Sequence, residues 1–507
     1  MAKLKNTFFF CTQDYHVLFA KKIINYGFKP FGFLENRNNK KTLNYNFPNI
    51  KVLNYHNFLK SNLDFENSYK YSTPPEVLRI MNNYFYEYSK ILLRQDTFFP
   101  TIKLSNALKL FNLNIYYWYN LFKENKIELN VFEEEPHKSN VFLVYQLSLV
   151  MKIQTYMPLR TIGNLGILPI SNYLEKNQDF RLKKLLKSKK TNKTNKDLLN
   201  YISNLSKDYN SALKLHLWNQ IEDITKNKKT NHFFKVFKKD YYFHLINYSS
   251  DFKTYFSKLE NSKQNYANYL INKIYKYIYI NRLKNNYSAI SKKLKLHKIK
   301  NQYIYFPLQM QPEKSTLPLA GPFEDSAYTI DFVLKNTPKN YKILIKEHPT
   351  HFISWRNTTN LMWRDLNFYR NINNLSSRVI FVNMKTDVFD LIDNSLFVAS
   401  VGGTACWEAA VREKRSINFS NIWFDNCHGI STIKYEKDII EFITQKKFNE
   451  KIDKKKVINF AKRIIDLGYL CAHGNPLELE NLNISASRNA EILKNAFIEY
   501  FDLSDKK

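Results

Sequence analysis

Four polar clusters in the second half of the chain each follow an apolar run, and each holds residues able to do chemistry. "YIYFPLQMQPEKST" (303–316) stops at Pro307 and places Gln309, Gln311 and Glu313 just beyond. "YKILIKEHP" ends in Lys346, Glu347, His348 and Pro349. "SLFVASVGGTACWEAA" turns at Ser400, Gly402, Gly403 and Thr404, with Glu408 four residues further on. "NIWFDNCHG" is the fourth. Glutamine amides both donate and accept, which suits a base or sugar hydroxyls. Glu313 could act as base, nucleophile or cation stabiliser at a reacting carbon, or simply close a turn with an ion pair.

The proline after His348 fixes extended backbone and stops a strand. The imidazole then projects from the strand end, where it can donate to a phosphate, act as an acid or cap a turn. Lys346 and Glu347 point to opposite sides of the strand, so only one shares a pocket with His348. A strand that ends in Gly-Gly-Thr and opens a helix offers backbone N–H groups to an anion, and the threonine hydroxyl adds a donor. Glu408 lies on the same helix face as Thr404 and could accept from ribose hydroxyls. The plainer alternative is a tight glycine turn with Glu408 as a surface charge.

Metal chemistry is not expected. His348 and His351 lack a third ligand, and the Cys427-His428 and Cys471/His473 spacings fit no standard zinc site. Asp387, Asp390 and Asp393 fall three apart, a solvated helix face capped by Thr386 or Asp387.

These clusters need strand ends to hold them. From Tyr303 the pattern alternates: strands at 303–307, "YKILIKEHP", "RVIFVN", "SLFVASVGGT" and "RSINFSN", with helices near 325–336 and 361–374 and at "TDVFDLIDN" and "ACWEAAVRE". A doubly wound sheet binds ligands at the carboxyl ends of its strands. The chain opens in the same way, with a strand at Thr7–Cys11, a helix, a strand near Pro30–Leu34 and a third in "NIKVLNYHNFL" (49–59). Its first loop lacks GxGxxG, so a dinucleotide fingerprint is absent there. Residues 75–125 read as helices, and "VFLVYQLSLVMKIQTYM" as a core helix too short and too polar to span a membrane. Residues 178–300 carry long helical patterns bracketed by "DFRLKKLLKSKKTNKTNK" and "SKKLKLHKIK". The division expected is 1–177 and 301–475 as two α/β domains, 178–300 as a basic helical insertion and 476–507 as a C-terminal helix.

The 507 residues carry a formal net charge of +32. Such a charge suggests nucleic acid. Lysine, asparagine, isoleucine and tyrosine are all abundant and glycine is scarce, however, so much of the excess is compositional drift on solvated faces and no nucleic-acid partner is expected. The remainder favours an anionic partner: a nucleotide, a phosphorylated acceptor or an anionic membrane face. Four scattered cysteines form no framework, and the N-terminal apolar run is too short for a signal peptide. The expectation is a cytoplasmic protein, peripheral at the inner membrane face.

"YIYFPLQMQPEKSTLPLAGPFED", "YKILIKEHP", "VGGTACWEAA" and "NIWFDNCHGI", in this order over about residues 300–430, resemble the capsule polysaccharide biosynthesis protein family, which includes relatives of bacterial capsule Kdo transferases. The resemblance implies an α/β, GT-B-like glycosyltransferase of two Rossmann-like doubly wound domains, here with the helical insertion in the N-terminal half. It implies that His348 and Pro349 contact the nucleotide phosphate, that Gly403 and Thr404 lie beside it, and that Glu313 acts at the anomeric carbon. "LRTIGNLGILP" echoes an arginine-containing segment and makes Arg160 an acceptor contact. The partners implied are a nucleotide sugar, CMP-linked Kdo or another CMP-linked acidic sugar by preference, and a polysaccharide or glycolipid acceptor. No cofactor is implied beyond the donor substrate, and no metal. Three other readings remain: a CDP-polyol phosphotransferase, a non-catalytic export or scaffold protein, and a nucleic-acid binder.

Overall fold

The computed structural model describes residues 4–59, 71–95, 103–161, 167–170, 172–174, 196–207, 266–300, 302–311, 313–352, 363–425, 427–445, 448, 450–474 and 477–501. It holds two six-stranded sheets. The first contains β1 (Lys5–Phe10), β2 (Phe28–Glu35), β3 (Lys51–Asn54), β4 (Ile127–Phe132), β5 (Gln154–Arg160) and β6 (Ile167–Ile170), in the order β3-β2-β1-β4-β5-β6. All its pairings are parallel except β5 with β6. The second contains β7 (Tyr303–Pro307), β8 (Lys342–Lys346), β9 (Val379–Phe381), β10 (Phe397–Ser400), β11 (Ser416–Asn418) and β12 (Ile430–Thr432), in the order β12-β11-β10-β7-β8-β9. It is parallel throughout. The expected architecture of two doubly wound, GT-B-like α/β units is the one observed.

Central strands are apolar runs because both faces are covered. Phe8, Phe9 and Phe10 of β1 are buried, as are Ile304, Tyr305 and Phe306 of β7. In each sheet the strand order reverses beside the first strand of the unit, at β1/β4 and at β7/β10. The crevice of a doubly wound sheet opens at that point, outside the carboxyl ends.

Several local expectations change. "NIKVLNYHNFL" is not one strand: β3 ends at Asn54 and the helix Tyr55–Leu59 follows. On this edge strand only Leu53 is half-buried, and Val52 is exposed. The apolar stretch read as one core helix is a helix over Ser139–Val150, a turn with Lys152 at φ 57°, and then β5. The helix near 361–374 occupies Phe368–Asn373, with residues 361 and 362 outside the described residues. β12, three residues at the sheet edge, carries no sequence pattern of its own.

Most of the basic insertion lies outside the described residues. Its two described α-helices, Lys196–Lys207 and Tyr266–Ile290, both pack on the second unit. Arg412 Nη1 donates to the Leu205 carbonyl at 3.0 Å, and the Tyr287 hydroxyl to the Val382 carbonyl at 2.6 Å. A boundary at residue 300 therefore cuts through the second core, which includes Leu283 and Tyr287. The helix Ala486–Phe501 returns to the first sheet, where Phe497 meets Phe19, Phe28 and Tyr156. Among the described residues no helix is long and apolar enough to cross a membrane.

Candidate functional site

The β7/β10 switch point brings three of the four clusters together. β7 lies between β8 and β10, so the loops after these strands meet at one edge. Gln309 Nε2 donates to Ser400 Oγ at 2.7 Å and ties the loop after β7 to the turn after β10. The turn is fitted closely: a Cβ on Gly403 would lie 2.6 Å from Gln309 Nε2.

Beneath this edge sits a residue that sequence reasoning misses. Arg364 is fully buried, and each of its five N–H donors has an acceptor. Nε donates to Glu347 Oε2 at 2.6 Å and Nη2 to Glu347 Oε1 at 3.3 Å. Nη1 reaches Gln311 Oε1 at 2.7 Å and the Trp363 carbonyl at 2.8 Å, and Nη2 also reaches the Gln309 carbonyl at 3.0 Å. The guanidinium carbon lies 4.2 Å from the centre of the Phe368 ring. Glu347 accepts as well from the Tyr369 hydroxyl and from the His348 amide, both at 2.7 Å. Burial pushes the Glu347 carboxyl up, but Arg364, His351 and the hydrogen bonds from Arg364 and Tyr369 outweigh it and hold it below its usual range. The only sequence signal is an arginine beside a tryptophan in a chain whose bases are mostly lysine.

This network revises several expected ligand contacts. Gln311 is buried, its amide held by Glu324, Ser326 and Arg364, so it braces the loop rather than facing a donor. Gln309 is 8 % exposed and its amide nitrogen is held by Ser400 and the Pro307 carbonyl. Ser400 is itself fully buried. The Gly402 amide donates to Asn418 Oδ1 at 3.1 Å and the Gly403 amide to Ser400 Oγ at 3.3 Å, so neither is presented to a phosphate. The Thr404 hydroxyl donates to Glu408 Oε1 at 2.8 Å, and burial raises the Glu408 carboxyl. The amides of Thr404 and Ala405 find no acceptor among the described residues and remain the open donors of the turn.

His348 is half-buried at the end of β8, with Nδ1 2.7 Å from Thr350 Oγ1. Pro349 starts a short 3-10 turn to Phe352. His351 is buried, and burial with Arg364 nearby lowers it to about 3, so it is neutral and its Nε2 accepts the Gln311 amide at 3.1 Å. Glu313 is half-buried, and its carbonyl accepts from the amides of Thr316 and Leu317. Asp387 caps the helix Val388–Asp393, as expected, while Asp393 pairs with Arg412.

Lys346 Nζ donates to the Thr386 carbonyl at 2.5 Å, and burial, partly opposed by Asp387, lowers the amine to about 8. Below pH 8 the ammonium is therefore held at a cost. An unfolded lysine titrates near 10.4. Between the two values the unfolded chain binds more protons, so stability rises with pH. Lys346→Met is expected to abolish about 2 kcal/mol of the rise between roughly pH 8 and 10, read from denaturant midpoints at the two ends.

Arg160, at the carboxyl end of β5, is not a free cation for an acceptor. Its Nη2 donates to Glu478 Oε1 at 2.8 Å and its Nε to His473 Nε2 at 3.0 Å. The carboxyl edge of the first sheet carries a further cluster, Glu133, Glu134 and Glu135 after β4, which the sequence signals only as "VFEEEPH". Lys314, next to Glu313, donates to Glu135 Oε2 at 2.8 Å and joins the two edges.

The sequence matches the capsule polysaccharide biosynthesis protein family over residues 194–459. No curated protein matches it. Among solved structures it is similar to KpsC, the beta Kdo 2,7 transferase of Thermosulfurimonas dismutans, with 10% identity, 84% of this chain and 97% of that chain covered, and a TM-score of 0.30. It is also similar to a glycosyltransferase from Rickettsia africae, with 11% identity, 98% and 100% covered, and a TM-score of 0.24. A UDP-GlcNAc 2-epimerase from Neisseria meningitidis shares 12% identity, with 92% and 99% covered and a TM-score of 0.22.

Proposed function

The chain belongs to the capsule polysaccharide biosynthesis protein family, and from that premise we propose that it is a glycosyltransferase building a surface polysaccharide or glycolipid from a nucleotide sugar. CMP-linked Kdo or another CMP-linked acidic sugar is the donor, and the reaction runs at the inner face of the cytoplasmic membrane. The observation that carries this reading is the convergence at the β7/β10 switch point of Glu313, His348 and the turn at Thr404. The amides of Thr404 and Ala405 and the His348 imidazole meet the phosphate, with Pro349 fixing the strand end. Glu313, in the loop after β7, faces the sugar. Gln309, Gln311, Ser400 and Arg364 hold these groups in place. Neutralisation by these donors needs no metal.

The test is a melting-temperature screen with CMP, CDP, UDP, GDP and ADP on the wild type and on His348→Ala. A nucleotide at 100 times its dissociation constant stabilises by about 2.7 kcal/mol. CMP is expected to raise the melting temperature of the wild type and not of the variant. A larger shift with another nucleotide would overturn the CMP assignment. No shift with any nucleotide at millimolar concentration would overturn the transferase reading and favour a scaffold.

A further inference from the structure

The helix Tyr266–Ile290 is apolar on two sides, and the function proposed above uses neither. One side packs on the second unit, where Tyr279, Ile280, Leu283 and Tyr287 are buried. The other faces outward, and Ile274, Tyr275, Tyr277 and Ile278 are between 41 % and 49 % exposed. At about 3.6 residues per turn, Ile274 and Ile278 run along the middle of the outer face, followed by Asn281, Asn285 and Ser288. Tyr277 and Lys284 border this midline on one side, Tyr275 and Arg282 on the other. Arg282 and Lys284 are exposed, as are Lys292, Lys293, Lys295, Lys298 and Lys300 beyond the helix. The sequence holds no acidic residue between Glu260 and Glu313. Asp365 and Glu347 act on Tyr279 and Tyr287, on the buried side.

We infer that the outer face of this helix seats the protein on an anionic bilayer. Ile274 and Ile278 enter the acyl boundary, the tyrosines lie at headgroup level, and the bases meet lipid phosphates. The inference rests on the placement of the transferase at the inner membrane face, and it gives that placement a surface. Isoleucines on a midline with tyrosines and bases beside them are the pattern with which an interfacial helix meets lipid. A second copy of the chain is a poor occupant, because it would set bases against bases. A polyanionic saccharide would engage the bases and leave the isoleucines in water. An anionic bilayer takes both.

The seat is tied to the donor site. The Tyr279 hydroxyl donates to the Arg364 carbonyl at 2.9 Å, and Asn286 Nδ2 to the Leu366 carbonyl at 2.8 Å. The Tyr287 hydroxyl accepts the Glu347 amide at 3.3 Å, one residue before His348. Ile278 stands about 14 Å along the helix from Tyr287. The outer face and the strand end that carries His348 thus belong to one packed piece, so a bilayer seated here sets the height of the donor site above the lipid.

The experiment uses the cysteines, all four of which are buried. A polarity-sensitive dye is attached to the full chain through Ile278→Cys, or through Tyr435→Cys as a control. Tyr435 is 64 % exposed and follows β12, at the edge of the second sheet opposite the β9 edge, where Lys292 pairs with Val382. The labelled protein is mixed with vesicles of phosphatidylcholine, with and without about one-third phosphatidylglycerol. On the anionic vesicles the dye at position 278 is expected to shift to the blue and to be dimmed by a quencher carried on the lipid chains. The dye at position 435 should do neither. In flotation of unlabelled protein, Arg282→Gln/Lys284→Gln should lose about 30-fold in affinity for the anionic vesicles. Ile274→Asn/Ile278→Asn should lose about tenfold or more. Both should keep the melting-temperature shift with CMP. Equal responses at the two positions would overturn the inference in favour of general adsorption of a basic protein. A blue shift at position 278 that grows with protein concentration in the absence of vesicles would overturn it in favour of a second copy. The same shift with dextran sulfate in place of vesicles would overturn it in favour of a polyanionic saccharide. A chain that binds CMP but shows no response at position 278 sinks this inference alone. A chain that responds as expected but binds no nucleotide sinks the transferase reading and leaves the lipid contact standing.

Discussion

Replacing Arg364 with methionine is expected to lower the stability of the fold by about 3–5 kcal/mol. The substitution leaves the Glu347 carboxylate fully buried without its charged partner, and it removes one donor each from the Gln309 carbonyl and the Gln311 amide oxygen. The sign of the pH dependence separates this from a simple packing loss. In the wild type, Glu347 is held below its unfolded value. Its contribution is present above that unfolded value and is lost as pH falls through the lower folded one. In Arg364→Met the guanidinium charge and its hydrogen bonds are gone, burial is opposed only by His351 and the Tyr369 bond, and the carboxyl is expected to rise above its unfolded value, so stability is lost as pH rises instead. The gap between the two proteins should therefore narrow from pH 7 towards pH 4. The double variant Arg364→Met/Glu347→Gln should recover part of the loss at pH 7, since no charge is then left unpaired. Denaturant midpoints measure all three. Because Glu347 Oε1 also holds the His348 amide, Arg364→Met should weaken the melting-temperature shift given by CMP. A gap that is constant with pH would mean that Arg364 acts by filling space alone.

Arg364 also shows where sequence reading stops. The strand ends were legible because each apolar run halts at a proline, a glycine pair or a charged group, and a parallel sheet collects such ends on one edge. That reasoning places Gln309, Glu313, His348 and Thr404 at one switch point without any knowledge of their contacts. It cannot say which way a loop side chain faces. Gln311 looked like a ligand contact because amides suit ligands, yet the same donors and acceptors suit a buried guanidinium, and the partner lies 53 positions away. The Gly-Gly turn looked like a phosphate seat because glycine exposes its amide, but Asn418 and Ser400 already accept those protons. The Glu133–Glu135 run carries no pattern in the sequence that says which way its carboxylates face. Only the pairing of β1 with β4 turns Glu133 towards Thr12. The return of the helix Ala486–Phe501 to the first sheet was equally hidden. Its apolar stripe shows that it packs, not on what.

Gly402→Ala is expected to cost about 3–4 kcal/mol, of which backbone conformation accounts for only about 1–2. Gly402 has φ +77°, in the left-handed region, and a Cβ there would lie 2.8 Å from the Ser315 carbonyl oxygen and 2.8 Å from Ser420 Cβ. The obstacle is backbone, and it cannot rotate away. The Ser315 carbonyl also accepts the Ser420 hydroxyl at 2.6 Å, so moving it breaks a second contact. Gly27 provides the control: its φ is +88°, but nothing lies within 4 Å of an added Cβ. Gly27→Ala should therefore show the conformational cost alone, and the difference between the two variants is the cost of separating the turn after β10 from the loop after β7. That separation would carry the amides of Thr404 and Ala405 away from Glu313. Gly27→Ala should then keep the full melting-temperature shift with CMP, and Gly402→Ala should lose most of it, in protein that remains folded at 20 °C. Equal costs in the two variants, or an undiminished shift in Gly402→Ala, would mean that the two loops adjust independently and that their contact through Gly402 does not fix the donor site.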